Sequence, residues 1–462
     1  MSTYVITCAQ NATPVHLKAF KSLVMYCHTV GATLLVVPAR YKNPTSVWSE
    51  RQKTDDWWDT RVMPYMTTER VHLAPGLVLA ADVKIQPTAS SPLSGFESLT
   101  GTDSCIIGHP KMQFRCVASP SGRYPKILST TGAVTVRNST NSKAGALGDF
   151  HHFLGAVVVE SAGNWYTIRQ LNCDRKSGSF TDIDINYSPS GPRPAQRAEA
   201  LVLGDVHYAV TDPVVDAVTF GSGGMVDTLR PKHIVVHDVF DGVTVNPHHI
   251  GDAYIKTSKY HGRQSHVRAE VEDTCDYLSK IGRSGARVHV VKSNHNDFLR
   301  RWMSTHDWRS DPSNAEFFLE TAAHMVADSR MTPGGIEYPD PFGYWVNKLS
   351  PKTHYLGQRE SLCIADIECS MHGHEGPNGT RGTLRNLARI GAKVITGHTH
   401  TPGIEEGNYQ SGTSTPLQLD YNSGPSSWMQ AHTVIYATGK RALLLIVDGL
   451  WHAKAKRQGH TQ

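Results

Sequence analysis

Four short runs of branched apolar residues, each ending in a cluster of Asp, His or Asn, recur between residues 200 and 400. Leu201-Val202-Leu203 runs into Gly204-Asp205-Val206-His207, and Ile234-Val235-Val236 into His237-Asp238-Val239-Phe240-Asp241. Val288-His289-Val290-Val291 leads to Ser293-Asn294-His295-Asn296-Asp297, and Val394-Ile395-Thr396 to Gly397-His398-Thr399-His400. Runs of this kind read as buried strands. Helical periodicity separates them: Val267, Val271, Leu278 and Ile281 share one side of a helix over 264–281, and Leu384, Leu387 and Ile390 mark another. Alternating strand and helix predicts an α/β region, and polar clusters just past strand ends lie where open α/β sheets bind ligands.

The start of the chain has the same rhythm. Tyr4-Val5-Ile6-Thr7 is a short strand, Pro14 opens a helix carrying Leu17, Phe20, Val24 and Cys27 up to Gly31, and Leu34 to Val37 is a second strand. That is a βαβ unit with parallel strands. A helix around Trp57 and Trp58 is expected next, then sheet at 77–80 and 83–85. Val434-Ile435-Tyr436 and Leu443 to Val447, joined by Gly439-Lys440, predict a terminal hairpin.

A chain of 462 residues exceeds one ordinary core. The segment Ser188-Pro189-Ser190-Gly191-Pro192-Arg193-Pro194 reads as a linker. It divides the chain into a smaller basic α/β domain, 1–195, and a second domain, 196–462. Residues 1–195 carry 19 Lys/Arg against 13 Asp/Glu, while the remainder carries 27 against 28. The chain's +5 therefore resides before the linker.

Composition excludes several classes. With 39% hydrophobic and 19% charged residues the chain is neither disordered nor a coiled coil. Its longest apolar run, Ala442 to Val447, is far short of the ~20 residues that span a bilayer. The eight Cys form no Cys-x-x-Cys pair, so reduced thiols in a cytoplasm are expected rather than a disulfide framework or a zinc knuckle. Cys8, Cys275 and Cys363 sit in apolar patterns and read as core filler.

The ordered clusters, with His372-Gly373-His374 between the last two, resemble the calcineurin-like metallophosphoesterases. That family runs Asp-x-His, Gly-Asp-x-x-Asp, Gly-Asn-His-Asp/Glu, a lone His and Gly-His-x-His. The likeness covers roughly residues 200–450 and implies a two-sheet αββα sandwich with two divalent ions. Carried over motif by motif, Asp205, His207, Asp238 and His400 would hold one ion, and Asp238, Asn294, His372 and His398 the other. Carboxylate, amide and imidazole donors without thiolate suit Mn, with Fe or Zn as alternatives. A hydroxide between the ions would attack phosphorus, with His295 serving the leaving oxygen and Asp241 orienting His295. Three departures stand out: His237 and Ser293 replace glycines, and Asn296 stands where the family has an acid. His374 competes with His372 for one role. Gly148-Asp149-Phe150-His151-His152 also matches the first motif as text, but no apolar strand leads into it; Asp149, His151 and His152 are expected at the surface or between domains, with a lining of the substrate cleft as the alternative.

The substrate expectation is DNA. Asp238-Val239-Phe240-Asp241 looks like the Asp-Leu-Phe-Asp of the SbcD-type nucleases. Cys8 to Val15 and Arg40 to Ser46 look like the opening of early deoxyribonucleases of large tailed phages, which would put the chain in a host cytoplasm. No acid occurs from Ser104 to Gly148, and Lys111, Arg115, Arg123 and Lys126 there are candidates to track phosphates. Arg263, Arg300 and Arg301 lie between the metal motifs, and Arg263 completes the substrate-binding set. A phosphomonoesterase, a small cyclic-phosphodiester hydrolase and a metal-containing nucleic-acid-binding protein without turnover are the alternatives. A homo-oligomer is compatible with the sequence, and no membrane partner is expected.

Overall fold

The computed structural model describes residues 1–40, 57–139, 141–249, 252–262, 264–357, 359–419 and 422–455. The opening unit forms as expected. Strands Ser2–Gln10 and Thr33–Ala39 pair in parallel across helix Leu17–Val30, which Gly31 closes at φ 70. Ser2–Gln10 also pairs antiparallel with Gly155–Ala162, which pairs with Trp165–Asn172.

A six-stranded sheet carries the first three site motifs. Its order is Thr353–Tyr355, Arg287–Val290, His233–Val236, Ala200–Val202, Ala431–Ile435, Arg441–Leu445. The first four strands are parallel, and the last two form the expected antiparallel hairpin. The two sheets lie side by side, where the amide of Leu443 donates to Gln170 Oε1 at 2.8 Å.

Facing this layer is a ten-stranded sheet that joins strands Arg70–Ala74 to Lys126–Thr130 with strands Cys363–Ile364 to Asn408–Gln410. One core fills the space between the layers. Ile6, Val157 and Ile168 meet Val202, Val235 and Leu443 from one side, and Leu79, Ile106, Phe114, Ile367 and Ile395 from the other. Each such side chain taken fully out of water contributes about 1.5–3 kcal/mol. Outside the six-stranded sheet, helices Val267–Gly282 and Pro341–Leu349 pack Val271, Leu278 and Trp345 on Leu201, Ile234 and Val288. Helix Leu17–Val30 covers the first sheet through Ala19, Phe20 and Leu23. The fold is mixed α/β in layers.

A division at residue 195 does not separate two cores. Strand Phe114–Val117 pairs with Gly403–Glu405, Ile404 opposite Phe114, so the ten-stranded sheet is built from both sides of that point. The expected linker is itself a hairpin, Ile185–Ser188 against Gly191–Pro194. Pro and Gly suit an edge strand and its turn as well as they suit a linker, and composition does not tell the two apart. Residues 57–59 are not helical, and 83–85 are not a strand. All eight cysteines are free; Cys363, expected in the core, is exposed, while Cys8 and Cys275 are buried. Among the described residues no helix is long and apolar enough to cross a membrane.

Candidate metal centre

The site motifs converge from both layers. Asp205, Asp238 and Asn294 follow three neighbouring parallel strands of the six-stranded sheet, and His372 and His398 follow parallel strands Ile367–Glu368 and Lys393–Thr396 of the ten-stranded sheet. Asp205, His207, Asp238 and His400 are all buried, and one ligand atom from each lies within 4.8 Å of the others, so this group can hold a metal ion. His400 Nε2 is 3.3 Å from Asp205 Oδ2 and 3.0 Å from His207 Nε2. Neither Asp205 oxygen nor Asp238 Oδ1 has a hydrogen-bond partner. Buried carboxylate oxygens without partners are costly unless a cation or donor meets them. The donor set therefore fits a divalent cation.

Close approach demands unusual backbone. His207, Asp238, His398 and His400 all have positive φ, at 44, 46, 79 and 58. Outside glycine such conformations cost about 1–3 kcal/mol each and concentrate at functional sites. A Cβ on Gly397 would fall 2.2 Å from Asp205 Oδ1, so only glycine fits there.

Electrostatics follow from burial. Burial, with the Asp238 charge adding to it, pushes the Asp205 carboxyl up to about 6 despite the nearby histidines. For His207 burial disfavours the imidazolium, yet the Asp241 hydrogen bond and the Asp238 and Asp205 charges prevail and raise it to about 9. His295 is lowered, chiefly by burial.

The Asp241 carboxylate stands 3.9 Å from His295 Nδ1, beyond hydrogen-bond reach. Asp241 Oδ1 lies 2.9 Å from His207 Nδ1, and His295 Nδ1 meets the Asp241 backbone carbonyl at 2.7 Å. The carboxylate thus orients a candidate ligand, leaving His207 Nε2 toward the cluster. His295, His207 and Asp241 form a second close group, in which His207 Nδ1 is already committed. His372 is fully buried with Nε2 3.1 Å from Asp238 Oδ2, and its ring is 5.1 Å from that of His398. His374 is farther out, its nearest carboxylate being Glu375 at 4.0 Å. Asn294 Oδ1 is buried without a partner. Asn294, His372 and His374 line a cleft of about 1680 Å³, with Lys292, Arg300 and Arg301 on its walls.

The basic candidates of the first half fare differently. Lys111 is buried and pairs with Glu406 at 2.6 Å. Lys126 is buried and donates to the carbonyls of Phe96, Glu97 and Gly101. Arg115 is half-exposed and pairs with Glu97 at 2.7 Å, while Arg123 is exposed. Two of the four ammonium and guanidinium groups are thus spent inside the fold, where no phosphate reaches them. Arg263 and the segment 41–46 lie outside the described residues. Asp149 sits in helix Lys143–Phe150, His151 pairs with Glu406 at 2.8 Å, and His152 is buried, away from the centre.

Two neighbours of the cluster were not anticipated as part of it. The Trp428 ring lies 4.0 Å from that of His400, and His237 is fully buried with both ring nitrogens unpartnered. His237 carried a signal in sequence, as a bulky residue where the resembled motif has glycine; Trp428 carried none.

Comparison with known proteins decides the family. The chain is 31% identical to "Protein A1" of Escherichia phage T5 over 466 aligned positions, covering 97% of this chain and 83% of the relative. The chain belongs to the Protein A1 family. No family model matches it, and no solved structure matches it. The match over 97% of the chain takes in both sheet layers.

Proposed function

We propose that the chain is a metal-dependent phosphodiesterase that cleaves DNA, with Mn as its metal. The observation that carries this reading is the buried Asp205–His207–Asp238–His400 cluster, with unpartnered carboxylate oxygens, joined through His372, 3.1 Å from Asp238, to a large cleft that His372 lines. Asp205, His207, Asp238 and His400 would hold one ion, and Asp238, Asn294, His372 and His398 a second. Bound divalent ions supply Lewis acidity and offset the charge of the phosphodiester. Asp241 keeps His207 Nε2 aimed at the cluster by accepting from Nδ1. His295, its Nδ1 held by the Asp241 carbonyl, keeps Nε2 for a proton at the leaving oxygen. The likeness of Asp238-Val239-Phe240-Asp241 to the SbcD-type nuclease motif supports DNA as substrate.

Purified protein with Mn should degrade plasmid and single-stranded DNA, and Asp238→Asn and His295→Ala variants should not. Hydrolysis of p-nitrophenyl phosphate with none of DNA would favour a phosphomonoesterase. Metal binding with hydrolysis of neither would favour a binding protein.

A further inference from the structure

Helix Ala253–His261 buries none of its residues, and it carries Tyr254 at 89% and Tyr260 at 74% exposure. Two tyrosines this exposed on one nine-residue helix present aromatic rings to solvent. The chemistry of the segment says what they suit. From Ala253 to Ala269 the sequence contains no Asp or Glu, and Lys256 and Lys259 lie on the helix. Lys256 and Tyr260, four residues apart, share one face of the helix.

The helix is tied to the metal centre. Asp241, which orients His207, leads into Gly242 and the turn Val243–Val245. The amides of Val243 and Thr244 both donate to the Glu270 carboxylate at 2.9 Å, and Lys259 Nζ donates to the Val243 carbonyl. The inward side of the helix is thereby fastened to the loop that leaves the site, and its tyrosines are turned outward.

We propose that helix Ala253–His261 is a docking surface for single-stranded DNA, with Tyr254 and Tyr260 stacking on bases and Lys256 meeting a phosphate. Aromatic rings interleaved with cations suit a single strand, whose base faces are free, whereas a duplex hides them. This rests on the reading of the site as a DNase.

The test uses the full chain with Mn and a fluorescein-labelled phosphorothioate oligothymidylate that resists cleavage. Tyr254→Ala/Tyr260→Ala should weaken binding by about tenfold or more, Tyr254→Phe/Tyr260→Phe should keep it, and Lys256→Ala should lower the salt slope by about one. Hydrolysis of bis-p-nitrophenyl phosphate should be unchanged, since none of these residues belongs to the site. Parental affinity in the double alanine variant overturns the helix proposal and leaves the DNase reading standing. Absence of DNA binding and cleavage in the parent overturns both. A parent that sediments as a dimer and a double alanine variant that sediments as a monomer, with equal DNA affinity, would assign the tyrosines to a second copy and overturn the proposal.

Discussion

His207 Nδ1 and Asp241 Oδ1 meet at 2.9 Å in a buried position, and this contact fixes which nitrogen of His207 faces the cluster. Metal affinity should therefore depend on a residue that is not a candidate ligand. Asp241→Ala should weaken Mn binding by about 10–100-fold, the cost typical of losing such a carboxylate. His295→Ala should leave Mn affinity near that of the parent while abolishing turnover. Isothermal titration calorimetry reads both; equal Mn affinity in Asp241→Ala and parent would remove the carboxylate's orienting role.

Gly397 should tolerate no side chain. Its Cβ would stand 2.2 Å from Asp205 Oδ1 and 3.1 Å from His237 Cβ, both in fully buried residues. Gly397→Ala should cost about 1–3 kcal/mol of stability, as overpacking generally does. It should also shrink the rise in melting temperature that Mn gives the parent. A thermal melt with and without Mn measures both effects.

Lys126 should matter to folding and not to DNA. Its ammonium answers three backbone carbonyls, so Lys126→Met should cost about 1–3 kcal/mol by leaving buried acceptors unmet. The salt dependence of oligonucleotide binding should stay as in the parent. A flatter salt slope would return this lysine to the phosphate-tracking role that its sequence context suggests.

His109 should make stability fall in acid. Burial lowers it to about 4, and its ring is engaged on both sides, by the Lys111 amide at Nδ1 and the Gln86 carbonyl at Nε2. The unfolded chain binds a proton near the usual 6.5 and the folded one only near 4. Its stabilisation is thus complete above about pH 6.5 and is lost as pH falls toward 4, by about 3 kcal/mol. Urea titrations at pH 7, 5.5 and 4 should show this slope, flattened in His109→Leu even though that variant is less stable throughout.

Much of the centre is legible in the sequence. Periodicity located the parallel strands that end at Asp205, Asp238, Asn294 and His398, because a strand's burial and its loop's chemistry are both local properties. It also located helix Val267–Gly282 and the terminal hairpin. Residue spacing does not say which of two nearby imidazoles a carboxylate bonds: that of Asp241 reaches His207 at 2.9 Å and stands 3.9 Å from His295. Lys111 and Lys126 are buried for a related reason: a run without acids looks solvent-facing until segments from elsewhere cover it. Glu406, the partner of Lys111, lies 295 positions along the chain.

The α/β rhythm and the Asp, His and Asn clusters at strand ends are written in the chain itself, because both follow from short-range pattern and side-chain chemistry. Tertiary structure alone decided that residues 70–130 and 363–410 share one sheet, with no domain boundary at 195. The pairing of Phe114 with Ile404 depends on backbone hydrogen bonds that any two extended segments can make. Burial on a common core selects among them, and burial is a property of the whole chain.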